Sequence, residues 1–217
     1  MSKTFQMRLI EDTLADNARL ELPPDGVNRA LYVVHGSVTV DGRLLTADEG
    51  LHIRGAAQVA AGDAGATLWR WELAASDAGS PKVARDGASV LKISAPLAWP
   101  VADAVLMRLD SVSFPPGGCA LLHTHQGPGI RCLIEGAIRI ETHGRSTSYG
   151  PGSPWFETGP EPVFAQAAAD RPSRFIRVMI LPQHLKGKSS IAYVNEGDRA
   201  KPKSQSYKGY VDTPIDV

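Results

Sequence analysis

Short apolar runs separated by turn residues recur along most of the chain. LYVVHGSVTV (31–40) and LIEGAIRI (133–140) both run apolar into a glycine, Gly36 or Gly136. Both then alternate, with Val38 and Val40 matching Ile138 and Ile140. Period-two alternation marks a strand with one face buried. Upstream, LELPPDG (20–26) matches VSFPPGG (112–118), an apolar strand entering a Pro-Pro turn. Downstream, LWRWELA (68–74) and FIRVMILP (175–182) each carry a central arginine inside an apolar run. The ordered landmarks predict one β unit present twice, with strands and turns throughout. The copies differ at one place: only the second carries the extra residues that include His123, Thr124 and His125.

The remaining segments read differently. Residues 75–105 are small, polar and Gly/Pro-bearing, which predicts a linker, with Pro96, Trp99 and Pro100 packing on the body. Residues 183–217 read as a tail whose Tyr193, Tyr207, Tyr210 and Val211 anchor it to the body or to a second subunit. Helix signals are sparse, confined to 8–18 and 164–169. The predicted organisation is a first unit over 1–90, a second over 91–182 and the tail over 183–217.

Composition agrees with many short elements. The chain has 217 residues, with 21 glycines and 16 prolines among 43% hydrophobic and 21% charged residues. The formal net charge is 0, which gives no electrostatic reason to expect nucleic acid or an anionic membrane as partner. No window approaches a membrane-spanning apolar run, and the first residues lack the apolar core of a signal peptide. Two cysteines make no disulfide framework. A cytoplasmic protein with reduced thiols is expected.

His123-Thr124-His125 is the sharpest chemical feature. Residues i and i+2 of a strand face the same way, so two imidazoles are spaced for one metal. The surrounding run GGCALLHTHQGPGIRCLIEGAIRI resembles the first motif of the cupin superfamily. That motif reads Gly, five residues, His-x-His, three or four residues, Glu, six residues, Gly. Here Gly117, His123, His125 and Gly136 match it. The second motif, Gly-x5-Pro-x-Gly-x2-His, is partly matched by GPGSPWFETGPEPVFA. The resemblance implies two tandem antiparallel β-barrels of jelly-roll type, the first a degenerate copy without metal ligands. It also implies one divalent transition metal, Fe, Zn, Mn or Ni.

Two of the four usual cupin ligands are missing. The glutamate position holds Gly129, and the last histidine falls at Val163 or Phe164. Glu157, just before the turn that leads to Phe164, is the replacement proposed here, giving a site of His123, His125 and Glu157. A solvated strand-end carboxylate is the alternative for Glu157. Arg131 shares the face of Gly129 and is expected to grip a substrate carboxylate in the room left there, or else to pair with Glu157 or Glu135. Trp155 and Phe164 are expected to wall the substrate pocket, with Tyr149 and Phe156 nearby.

In the first copy Arg29 stands where Gly129 stands in the second, so no metal is expected there. His35, His52, His143 and His184 read as ordinary strand, turn or surface residues. Alternation puts Cys119 on the His123 face and Cys132 opposite Arg131, so the two are not expected to pair. The functional expectation is a metal-dependent cupin enzyme of the oxygenase (for example a dioxygenase), isomerase or lyase class, acting on a small carboxylated molecule. A non-catalytic binding or sensing cupin is the alternative. A homodimer is expected in either case, with no nucleic acid and no membrane as partner.

Overall fold

The computed structural model describes residues 4–97 and 104–217. Trp99 and Pro100, expected to pack on the body, lie outside the described residues. The protein is almost entirely antiparallel β-structure, in two compact units, Met1–Ala98 and Trp99–Asp216. Among the described residues the only helical pieces are short 3-10 turns at Gln183–Leu185 and Glu196–Arg199. Among the described residues no helix is long and apolar enough to cross a membrane.

The first unit contains β1 (Phe5–Leu14), β2 (Arg19–Leu22), β3 (Asn28–Val40), β4 (Arg43–Thr46), β5 (Gly50–Arg54), β6 (Ala57–Ala75) and β7 (Gly87–Leu97). They form one sheet in the order β4-β3-β6-β1-β7, with β2 on β6 and β5 on β3. Its apolar core takes Leu20, Leu31, Val38, Val59 and Leu68 from three strands. Beside this core lies a closed set of buried charges. Arg70 meets Asp12 at 2.8 Å and also pairs with Glu72, and Glu72 accepts from Arg29 at 3.0 Å. Arg29 and Arg70 are thus both neutralised by carboxylates.

Two sequence expectations fail in this unit. Residues 8–14 are strand, not helix. Arg8 and Asp12 break the apolar alternation because they are buried polar groups, Asp12 on Arg70 and Arg8 on the Ala78 and Gly79 carbonyls. The segment 75–105 is not simply a linker: β7 pairs with β1 along its length, and the boundary expected at residue 90 falls inside it. Only Ala95 and Leu97 of its side chains are buried, and Val90 and Leu91 are exposed, so its apolar residues do not follow the one-sided pattern of a core strand.

The second unit contains β8 (Val105–Phe114), β9 (Cys119–His125), β10 (Gly129–Glu135), β11 (Ile138–Thr142), β12 (Arg145–Tyr149), β13 (Pro154–Glu157), β14 (Val163–Ala167), β15 (Ser173–Pro182), β16 (Ile191–Tyr193) and β17 (Ser206–Ile215). Two five-stranded sheets, β13-β10-β15-β8-β17 and β12-β11-β14-β9-β16, share one core. Val112, Phe114, Leu133 and Phe175 of one sheet pack with Ile138, Ile140 and Val163 of the other. The segment expected to be helical at 164–169 is largely β14. The tail supplies the edge strand of each sheet, β17 on β8 and β16 on β9.

The registers of the units correspond. Leu31 lies opposite Arg70 as Arg131 lies opposite Arg177, and Arg8 opposite Glu72 as Arg108 opposite Met179. The matched glycines serve the same purpose. Gly36 and Gly136 have φ of 77° and 80°, and a Cβ at either would drive into a neighbouring backbone carbonyl, that of Gly65 or Pro172.

Candidate metal centre

The inner surface of the second unit carries polar groups in one place. A row runs directly across the first sheet: Trp155, Arg131, Arg177, Asp110 and Gly209 are register neighbours on β13, β10, β15, β8 and β17. The next row inward is Glu157, Gly129, Met179, Arg108 and Asp212. Both rows face the same side, because their members are two apart on β13, β10, β15 and β8, and a bulge after Gly209 on β17 makes up the odd step there.

The histidines come from the facing sheet. On β9, Val163 pairs with His123 and Ala165 with Ala120, so three steps on β9 match two on β14. This bulge resets the alternation and turns both Ala120 and His123 inward. It also overturns the expected orientation of Cys119, which lies outside against the tail, its N–H donating to Ser204 Oγ at 2.9 Å. Cys132 is buried facing away from Arg131, and the two cysteines form no disulfide.

His123 and His125 are both 5% exposed. His123 Nδ1 donates to the Leu121 carbonyl at 2.7 Å, which leaves Nε2 as a lone pair aimed inward. Its Nε2 lies 3.2 Å from His125 Nε2. Since His123 Nε2 carries no proton, His125 Nε2 supplies the one between them. Ser190 Oγ lies 3.5 Å from His125 Nδ1. The end of β9 is pinned by the His125 N–H to Gly159 O bond at 2.7 Å, and β16 pairs with it. Burial lowers the His123 pKa, and burial with Arg131 and Arg177 nearby lowers that of His125 well below the usual histidine value. Both rings are therefore neutral at pH 7, the form that binds metals.

Glu157 enters the same space. Its Oε1 accepts from Trp155 Nε1 at 2.8 Å. Its Oε2 lies 3.6 Å from His125 Nε2 and 2.7 Å from Arg131 Nη2. That second approach brings charges together without hydrogen-bond alignment: Oε2 and Nη2 are both buried and without a hydrogen-bond partner. Arg131 Nη1 donates to its own strand at Gly129 O, 2.6 Å away. Burial pushes the Arg131 guanidinium down to about 10, which leaves it charged at neutral pH. Beside it, Arg177 donates to Asp110 through Nε at 2.6 Å and Nη2 at 3.0 Å. Two cations and two carboxylates thus balance.

These groups line a cavity of about 20 Å³, room for one water or one ion. Among the described residues no group of three or more His, Cys, Asp or Glu is arranged as a finished metal cluster, because Glu157 leans on Arg131 and Trp155. The donor set nevertheless fits a metal. Two ligand nitrogens about 2.1 Å from one cation stand about 3 Å apart when near right angles. The observed 3.2 Å has that size, and Glu157 Oε2 is an orphaned buried acceptor at the same spot.

The structure therefore brings His123, His125, Glu157 and Arg131 together. Trp155 is close but stands behind Glu157, stacked on Tyr149 with ring centroids 4.8 Å apart. Phe164 is not with them: Val163 and Ala165 face inward, so Phe164 faces out. The room expected at Gly129 is absent, being filled by the Arg131 guanidinium, Met179 and the β15 backbone. Arg177, Asp110 and Ser190 were missed as site residues. The available signal was a charge inside the apolar runs of β8 and β15.

No known family model matches the chain, and no curated protein matches it in sequence. In fold it is similar to Bacillus subtilis oxalate decarboxylase. A mutant of that enzyme superimposes with a TM-score of 0.62 at 13% identity, over 93% of this chain and 78% of that one. Its structure at pH 4.6 gives the same score and identity over 93% and 73%. A further structure, determined in work on that enzyme's Mn(II) centres, gives 0.62 at 13% over 93% and 74%. A cupin 2 conserved barrel domain protein from Leptotrichia buccalis matches at 0.49 and 13% over 82% and 84%. The likeness to the decarboxylase is one of fold: this chain shares its antiparallel jelly-roll architecture.

Proposed function

We propose that the second unit binds one divalent transition metal through His123 Nε2, His125 Nε2 and the Glu157 carboxylate, and uses it on a small carboxylated molecule. The observation that carries this reading is the convergence of two neutral imidazoles, 3.2 Å apart, with an orphaned carboxylate oxygen. When bound, the metal supplies a Lewis acid that polarises an oxygen of the ligand. The chain's own groups do the rest. For His125 Nε2 to serve as a ligand its proton must sit on Nδ1 instead, beside Ser190 Oγ, a change of tautomer with no net proton release from the neutral ring. Trp155 Nε1 fixes one oxygen of Glu157 and leaves the other for the cation. Arg131 Nη2, an orphaned donor, is available to an anionic ligand oxygen. Val112, Phe114 and Phe175 keep bulk water from this space.

The fold neighbours act on oxalate and one is described for Mn(II), so a carboxylate-cleaving lyase with Mn is the first chemistry to assay. Oxygenase and isomerase reactions with Fe, Zn or Ni follow. A binding or sensing protein is the second reading, favoured by a cavity of about 20 Å³ that admits an ion but no substrate in this conformation. An anionic small-molecule partner, a homodimer and a cytoplasmic location belong to the same proposal, with no nucleic acid and no membrane as partner.

The test is metal content after reconstitution with Mn, Fe, Ni or Zn and dialysis. The reading expects one equivalent in the parent protein and loss in His123→Ala and His125→Ala. Parent protein that retains no metal under any of these conditions overturns it. Metal retention without turnover of any small carboxylate selects the binding reading.

A further inference from the structure

A larger chamber of about 320 Å³ lies in the same unit, between β17 and β8 on one side and residues 187–191 on the other. Arg177, Ile191 and Tyr207 are common to its wall and to that of the small imidazole cavity. Its origin is visible in the row Trp155, Arg131, Arg177, Asp110, Gly209. The row ends at a residue with no side chain, and a Cβ at Gly209 would meet nothing within 4 Å. The space over Asp110 and Arg177 is therefore left open by β17.

The charges of this chamber leave one cation over. Arg108 is held by Asp212, with Nε at 3.0 Å and Nη2 at 3.2 Å, and by the Lys188 and Leu185 carbonyls. Arg177 is held by Asp110 through Nε and Nη2, so its Nη1 remains for the chamber. Lys188, an exposed residue at the rim of the wall, has no carboxylate partner among the described residues. Two matched pairs and one unmatched ammonium give a net single positive charge. Ser189 and Ser190 add hydroxyls, while Ile191, Val211 and the Tyr207 ring add apolar surface. Tyr207 also lies under the Arg177 guanidinium, 5.7 Å from ring centre to carbon.

We infer that this chamber is a binding site for a small monocarboxylate with an apolar or aromatic body. The carboxylate meets Arg177 Nη1 and the Lys188 ammonium, and the body lies against Ile191, Val211 and Tyr207. Preformed pockets of this kind, mostly apolar with a few placed polar groups, are the ordinary form of a small-molecule site. The inference does not rest on the metal. A ligand held at Arg177 sits beside the imidazole cavity whether or not that cavity is filled.

The experiment is calorimetric titration of metal-stripped, dialysed protein with benzoate and phenylacetate, with neutral benzamide as the isosteric control. Benzoate or phenylacetate is expected to bind, and benzamide about tenfold or more weaker, the cost of losing a charge-assisted hydrogen bond. Gly209→Phe fills the chamber from open space and is expected to abolish binding with its melting temperature kept. Lys188→Glu, at an exposed position that folds regardless, is expected to weaken benzoate about tenfold. Equal binding of benzamide, undiminished binding by both variants, or no heat from either acid at millimolar concentration overturns the inference. None of these outcomes changes the metal content that tests the proposed function, and loss of metal binding leaves this titration unaffected.

Discussion

Gly129 and Glu157 face each other across β10 and β13 as register partners. In the proposed site, the carboxylate that the cupin pattern would place at Gly129 comes instead from the adjacent strand, one inter-strand step away. The exchange makes room for Arg131, whose guanidinium occupies the space beside Gly129 and donates to its carbonyl. A Cβ at Gly129 would press on the Val178 carbonyl and lie 2.9 Å from Met179 Cγ and 3.0 Å from Arg131 Nη1. Gly129→Ala is therefore expected to destabilise the second unit by about 1–3 kcal/mol, the usual cost of overpacking. Urea denaturation measures this, and an unchanged midpoint would show that the space is not tight.

Arg131 and Glu157 form the second prediction. Glu157→Gln leaves the Arg131 guanidinium, 1% exposed, without its counter-charge. Removing one partner of a buried pair typically costs about 3–5 kcal/mol. Replacing both, as Arg131→Met with Glu157→Gln, removes the uncompensated charge and is expected to recover a large part of that loss. The comparison is a double-mutant cycle in chemical denaturation. Additive single and double variants would mean that the 2.7 Å approach contributes no coupling.

Much of the fold was legible because it follows from alternation. Val38, Val40, Ile138 and Ile140 are buried as period two requires, and Gly36 and Gly136 mark equivalent turns. The histidine pair was legible for the same reason. Three things were hidden by physics that a single chain of letters does not display. The β9 bulge depends on pairing with β14, so Cys119 could not be oriented from alternation alone. Edge strands β7, β16 and β17 pair through the backbone and leave most of their side chains outside the core, so they read as linker and tail. Arg8 and Asp12 look solvent-facing in sequence, and only their distant partners make β1 a strand. The site was half visible: Glu157 and Arg131 could be placed near the histidines, but their pairing with each other depended on β13 registering with β10.

The buried histidines give the metal-free protein a pH signature. His123 and His125 have lowered folded-state pKa values, so in the usual histidine range near 6.5 the unfolded chain takes up protons that the folded chain refuses. Their contribution to stability is present above that value and is lost as pH falls below it. His52, lowered by burial and Arg54, acts in the same direction in the first unit. The denaturation midpoint of metal-free protein is expected to drop between about pH 7 and about pH 5, before most carboxylates titrate. His125→Asn removes one of these groups and should flatten the slope without abolishing it. A midpoint that holds steady across this interval would rule the account out.

Val163 stands directly opposite His123 on β14 and is 2% exposed, so it, not Phe164, is the inward residue where the cupin pattern ends in histidine. The centre accordingly has two imidazoles where the family pattern has three. Cross-strand partners on one face have Cβ atoms about 5 Å apart, close enough for their rings to meet at one ion. Val163→His is expected to add a third nitrogen to His123 and His125 and to raise affinity for Zn or Ni by about tenfold or more, a modest gain of about 1.4 kcal/mol. Phe164→His, one residue on and facing out, provides the matched control and should change nothing. Competition against a fluorescent chelator reads both. The larger imidazole in an apolar core lowers stability, so folding is checked by thermal melting in the absence of metal. A folded Val163→His protein no tighter for metal than the Phe164→His control would place the ion-binding groups away from the His123 face.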